Sequence, residues 1–126
     1  MVKRGVVEPF IHGVTLDIAP YESLSAIWKE CRILKRLGED TAMELLNVVS
    51  GVLAVMEMLT IRGVEREVFE TASKEGLTVY DASYLHLAAK NDYTLVTDDR
   101  RLKERASKYV EVLNSKDLPL RRFSST

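Results

Sequence analysis

The sequence predicts an α/β protein in which short strands alternate with helices, giving a mainly parallel sheet covered on both faces. Three observations carry this. β-branched, alternating segments recur at 14–18, 93–97 and 109–113; amphipathic helical patterns fill the intervals; and acids gather where those segments meet. The 126 residues correspond to one domain spanning 1–126, with a polar tail from about residue 119. A chain of this length buries about two thirds of its unfolded surface.

Residues 14–18 (Val-Thr-Leu-Asp-Ile) alternate as a strand, and Pro20 stops it. From Tyr21 to Leu37, apolar residues fall at Leu24, Ile27, Trp28, Cys31, Leu34 and Leu37, one face of a helix that Gly38 is placed to cap. A second helix at about 40–50 turns Ala42, Leu45, Leu46 and Val49 inward. Residues 52–61 are apolar except Glu57 and Thr60; periodicity leaves helix against strand open there, and a strand near 57–61 is favoured. Helix 64–75 carries Val64, Val68, Phe69 and Ala72 inward and ends at Gly76. Thr78 opens the next helix, with Asp81 at capping-box spacing. Strand 93–97, a short helix at 99–107 and strand 109–113 complete the pattern.

Hydrophobic residues make up 46% and charged residues 29%, a globular composition. A net charge of −1 excludes an indiscriminate nucleic-acid binder, because that affinity is summed over many phosphate contacts. A local basic patch over a small site is compatible with it. The single cysteine, Cys31, forms no intrachain disulfide, and no apolar run approaches the ~18 residues that span a bilayer. With no apolar segment following its charged N-terminus, the chain reads as soluble and cytoplasmic.

The acids carry the chemistry. Ligands of open parallel sheets bind at the carboxyl ends of the strands. Glu22 lies in the first turn of the helix after strand 14–18, Asp81 in the first turn of its helix, and Asp98 and Asp99 close strand 93–97. Carboxylates gathered without a partner repel one another, and Mg²⁺ or Mn²⁺ removes that penalty. The competing explanation of each acid alone is the helix macrodipole, which favours acids at N-termini. His12 and His86 have no zinc-type spacing, and there is no phosphate loop or nucleophile elbow. Tyr80 and Tyr84 read as packing residues, and Arg121 and Arg122 as a solvated tail.

Residues 76–102 resemble the C-terminal signature of the PIN-domain family, metal-dependent ribonucleases that include VapC-type toxins. Gly76-Leu77-Thr78-Val79-Tyr80-Asp81-Ala82-Ser83-Tyr84-Leu85 matches its helix motif, and Leu95-Val96-Thr97-Asp98-Asp99-Arg100-Arg101-Leu102 its strand end. Ala19-Pro20-Tyr21-Glu22-Ser23-Leu24-Ser25-Ala26-Ile27-Trp28 resembles the segment with the family's glutamate. The resemblance implies a three-layer αβα sandwich whose metal ligands and catalytic acids are Glu22, Asp81 and Asp99. It places Asp98 and Thr97 next to them, with Arg100 and Arg101 as possible phosphate contacts.

The activity implied is cleavage of RNA, with one or two Mg²⁺ or Mn²⁺ ions activating water, by the toxin of a toxin–antitoxin pair. The partners implied are an antitoxin protein and a second copy of the chain, for which Trp28 and Met56 suit an apolar interface. One departure stands out. The family opens with a strand ending in an aspartate, yet only 21 residues precede Glu22 and none fits that strand: Asp17 belongs to the next element and Glu8 precedes a proline. The expectation is a sheet whose first strand is missing or replaced. Either the natural chain begins further upstream, or this is a degenerate member short of one ligand. A catalytically incomplete RNA-binding or dimerisation module is therefore the alternative. A haloacid-dehalogenase-type phosphatase needs an Asp-any-Asp motif after a first strand, and that motif is absent.

Overall fold

Strand β1 (Val14–Leu16) and strand β2 (Glu57–Leu59) run parallel, paired Val14 with Glu57, Thr15 with Met58 and Leu16 with Leu59. The computed structural model describes residues 13–117, and the chain forms two compact units that meet in sequence between Leu59 and Thr60. The position sought for a missing first strand falls on residues 1–12, outside the described residues, as does the tail from 119.

In the first unit, helix α1 (Ala19–Trp28) starts two residues before the predicted boundary. Pro20 sits in its first turn, where a missing N–H leaves nothing unsatisfied, so it begins the helix as well as ending the strand. The predicted helix to Leu37 does not persist as α-helix. A π-helical turn occupies Lys29–Ile33, closed by Leu34 N–H donating to the Lys29 carbonyl at 2.8 Å. Lys35, at φ 53°, then turns left-handed. The end is fastened by Arg36, whose guanidinium binds both carboxylate oxygens of Glu30 at 2.6 and 2.9 Å.

Gly38 is therefore not the predicted C-terminal cap. It is extended (φ −68°, ψ 160°) and opens helix α2, Glu39–Ala54, which runs longer than the predicted 40–50 and absorbs part of the ambiguous apolar run. Leu24 and Trp28, on the predicted apolar face, are 52% and 53% exposed, so periodicity identified the helix but not what covers that face.

In the second unit, helices α3 (Glu65–Glu75) and α4 (Val79–Asn91) are followed by strand β3 (Leu95–Val96), helix α5 (Arg100–Ala106) and strand β4 (Val112–Leu113); a 3₁₀ turn covers Ser115–Asp117. β3 and β4 are also parallel, pairing Leu95 with Val112 and Val96 with Leu113. Both strand pairs thus have helical crossovers, as the α/β expectation requires. The strands are shorter than predicted because the chain leaves the ladder early; Tyr109, for example, lies in the turn that caps α5 and not in β4.

The core of this unit is built on α4. Leu85 and Ala88 pack with Leu95, Leu102 and Ala106, while Ala82 packs with Val64 and Val68 of the α3 region. Phe69 was expected to join them and is instead 67% exposed, one position round from the buried Val68.

Candidate active site

Glycine and threonine set the geometry before α4. Gly76 takes the left-handed conformation (φ 65°) that a Cβ disfavours and ends α3 by donating its N–H to the Ala72 carbonyl. Two residues later the chain is extended at Thr78, whose Oγ1 accepts the Asp81 N–H at 3.1 Å. This is the N-cap half of the predicted capping box. It fixes Asp81 in the first turn of α4, half-buried, with its carboxylate hydrogen-bonded to Thr78.

Asp99 arrives from β3. Thr97 Oγ1 accepts the Asp99 N–H at 3.1 Å, and Asp99 Oδ1 accepts the Leu102 N–H at 2.9 Å, making Asp99 the N-cap of α5. One Asp99 oxygen is thus committed to the helix.

Asp81 and Asp99 feel each other. Burial, and after it the Asp99 charge, raise the Asp81 carboxyl above its ordinary value; Thr78 and the Arg101 charge act in the opposite sense. Arg101 is held beside the pair by donating to the Gly76 carbonyl at 2.6 Å. Arg100 is exposed on the same first turn of α5.

Asp98 does not join them. Both its oxygens accept from Ser115, from the N–H at 2.9 Å and from the hydroxyl at 2.6 Å, and this bonding lowers its pKa. Asp98 ties the end of β3 to the 3₁₀ turn. Glu22 stands in the first turn of α1, in the first unit, with an exposed side chain. Among the described residues, no three Asp, Glu, His or Cys side chains gather closely enough to hold a metal ion. The second unit therefore offers a pair, Asp81 and Asp99. That pair fits a hard divalent cation on its own chemistry: two oxygen donors whose mutual repulsion a cation relieves.

Sequence reasoning missed one cluster in this unit. Glu75 is 3% exposed, and its carboxylate accepts from Lys108 Nζ at 2.6 Å and from the Tyr109 hydroxyl. The Lys108 bond, then the Tyr109 bond, hold its pKa below the ordinary glutamate value. The partners lie 33 and 34 residues away, beyond any local pattern. One signal was present: an acid in the last turn of a helix opposes the macrodipole and calls for a cation.

Parallel strands with helical crossovers, and an acid pair that fits a divalent cation, define a protein of PIN-like fold. Sequence relatives agree. Ribonuclease VapC3 of Pyrobaculum aerophilum is 37% identical over 91 residues, covering 72% of this chain and 69% of that protein. Exonuclease VapC9 of the same organism is 35% identical over 97 residues, 77% of this chain and 69% of that one. The crystal structure of PAE2754 from Pyrobaculum aerophilum superposes with a TM-score of 0.73 at 29% identity, covering 88% of this chain and 76% of that one. No family model matches the sequence. The chain belongs to the VapC-type PIN-domain family.

Proposed function

We propose that this protein is a Mg²⁺- or Mn²⁺-dependent endoribonuclease, one PIN-like domain acting in the cytoplasm as the toxin of a toxin–antitoxin pair, with Asp81 and Asp99 as metal ligands and Glu22, the acid that matches the family's glutamate, as a further catalytic acid. The observation that carries the reading is the Asp81–Asp99 pair, two carboxylates close enough that one raises the pKa of the other. Its relatives' names support nuclease chemistry, one a ribonuclease and one an exonuclease.

When bound, the ion activates a water near neutral pH and neutralises charge on the phosphate. The residues supply placement. Thr78 holds Asp81 at the start of α4, and the Leu102 N–H holds one Asp99 oxygen. Arg101, anchored on Gly76, puts a fixed positive charge beside the acids, where it meets an incoming phosphodiester; Arg100 adds a second. Thr97 and Asp98 hold the β3–α5 junction rigid beside the ligands.

The exposed apolar side chains Leu24, Trp28, Ile33 and Leu34 of the first unit support a homodimer and a protein antitoxin as partners. Among the described residues no helix is long and apolar enough to cross a membrane.

The test is cleavage of linear and circular single-stranded RNA with Mn²⁺ or Mg²⁺. Circular RNA has no end, so its cleavage separates an endonuclease from an exonuclease. Glu22→Gln, Asp81→Asn and Asp99→Asn are each expected to lower the rate by at least about a hundredfold, about 2.7 kcal/mol at 1.36 kcal/mol per factor of ten. Unchanged rates in all three would overturn the assignment. RNA binding with no cleavage at any metal concentration would favour the non-catalytic module.

A further inference from the structure

A cavity of about 150 Å³ opens between α3, α4 and the turn after α5. Leu85 and Ala89 form its apolar part, Tyr109 forms one wall, and Glu75, Lys74 and His86 also line it. A cavity of this volume accepts one six-membered ring.

Its wall is a built one. Glu75, almost fully buried, binds both Lys108 and the Tyr109 hydroxyl, so the aromatic wall is fixed in place. The ammonium groups of Lys74 and Lys108 lie 5.9 and 5.6 Å from the Tyr109 ring centroid. The Tyr109 side chain is still 47% exposed, which leaves its ring available for stacking. His86 brings a buried ring nitrogen, Nε2, that has no hydrogen-bond partner among the described residues. An aromatic platform, an apolar slot of single-ring size and the Lys74 ammonium beside the ring are the combination that holds an unpaired base by its π-face and its phosphate by charge.

We propose that this cavity is a docking subsite for one unpaired base of single-stranded RNA, a pyrimidine by size, stacked on Tyr109 with the adjoining phosphate on Lys74. The choice of RNA rests on the nuclease reading given above. Leu85 follows Asp81 by four residues on α4, about 6 Å along the helix axis, so one strand can cover both the acid pair and the slot. The subsite positions the strand and takes no part in the chemistry.

The test uses the full chain as Asp81→Asn, in chelator, so that nothing is cleaved. Uridine, uridine 5′-monophosphate and inorganic phosphate are titrated while the Ala89 methyl and Tyr109 ring resonances are followed. Oligouridylate affinity is measured by fluorescence anisotropy in the same background and after adding Ala89→Phe, which fills the slot from an exposed position, or Lys74→Glu, which reverses the rim charge. Uridine and its monophosphate are expected to shift both resonances, and phosphate alone neither. Ala89→Phe and Lys74→Glu are each expected to weaken oligouridylate binding about tenfold, equivalent to about 1.4 kcal/mol.

The proposal is overturned if uridine leaves the resonances unmoved, if phosphate alone reproduces the shifts, or if both variants bind as tightly as the parent. It is also overturned, in favour of a protein-docking surface, if an antitoxin segment moves the resonances and no nucleotide does. Mn²⁺-dependent cleavage by the unsubstituted chain is scored separately. Binding without cleavage removes the nuclease reading and keeps the slot, and cleavage without uridine binding does the reverse.

Discussion

Replacing Asp99 by Asn and by Ala separates the two tasks given to that residue. Asp99 Oδ1 accepts the Leu102 N–H at 2.9 Å, the N-cap of a seven-residue helix with no acid in its first turn. Asn caps nearly as well as Asp, whereas Ala has no acceptor, and losing a cap costs about 1 kcal/mol, within a range of about 0.5–2. Removing the charge at the helix N-terminus costs up to about 1 kcal/mol, but it also removes the repulsion that disfavours ionised Asp81. These two effects oppose each other. Asp99→Asn is therefore expected to fall within about 0.5 kcal/mol of the unsubstituted chain in urea unfolding without metal, and Asp99→Ala about 1 kcal/mol below it. For a domain stable by about 5–15 kcal/mol, that difference is measurable from the midpoint. Both variants are expected to lose Mn²⁺-dependent cleavage equally. If Asn destabilises as much as Ala, the cap does not explain the loss. If Asn retains full cleavage, Asp99 is not a ligand.

Leu102→Ala removes a side chain only 4% exposed from the cluster with Leu85 and Leu95 and is expected to cost about 2–5 kcal/mol in urea unfolding; a loss under about 1 kcal/mol would mean that the core is placed wrongly. Glu75 has a depressed native pKa, so its stabilisation is present above the ordinary value of 4.5 and is lost as pH falls through the native value. Glu75→Gln is accordingly expected to be less stable than the unsubstituted chain near neutrality, with the gap closing below pH 4.5; a gap that widens in acid would contradict the pairing with Lys108 and Tyr109. Light scattering is expected to give twice the 14.3 kDa chain mass, reduced to one chain mass by Trp28→Arg; a monomer before substitution would remove the homodimer.

Elements whose evidence is local were legible in the sequence. Gly76 ends α3 and Thr78 caps α4 because left-handed geometry and side-chain capping are decided within four residues. The parallel strand pairs follow from alternation with helices. What differs depends on features that apolar spacing does not report or on partners distant in sequence. Apolar spacing continues the first helix through Lys29–Ile33 because it does not distinguish an α-turn from a π-turn; the Arg36–Glu30 bond and left-handed Lys35 end it, and neither is an apolar signal. Phe69 was placed inward on the same stripe as Val68, but a helix covered on one side buries a narrower arc than its apolar residues occupy. The Glu75 cluster joins residues more than 30 positions apart.

The acids show why the structural and functional explanations of a residue need not compete. An acid at a helix N-terminus is stabilised by the dipole and by capping whether or not it has any other use. Asp99 satisfies that explanation, with Oδ1 on Leu102 N–H. Asp81 does not satisfy it fully: Thr78 caps α4, so Asp81 is not needed as the cap, and burial and Asp99 make its charge unfavourable. A residue that is redundant for capping and disfavoured by its surroundings is not explained by the stability of α4. A cation shared with Asp99 removes that disadvantage, and it requires of Asp99 only the oxygen that the helix leaves unused. On the proposed reading the cap orients a ligand as well as starting a helix. This is why the metal-binding role assigned to Asp99 predicts that Asn preserves the fold and loses the cleavage, whereas a purely structural role predicts that Asn preserves both.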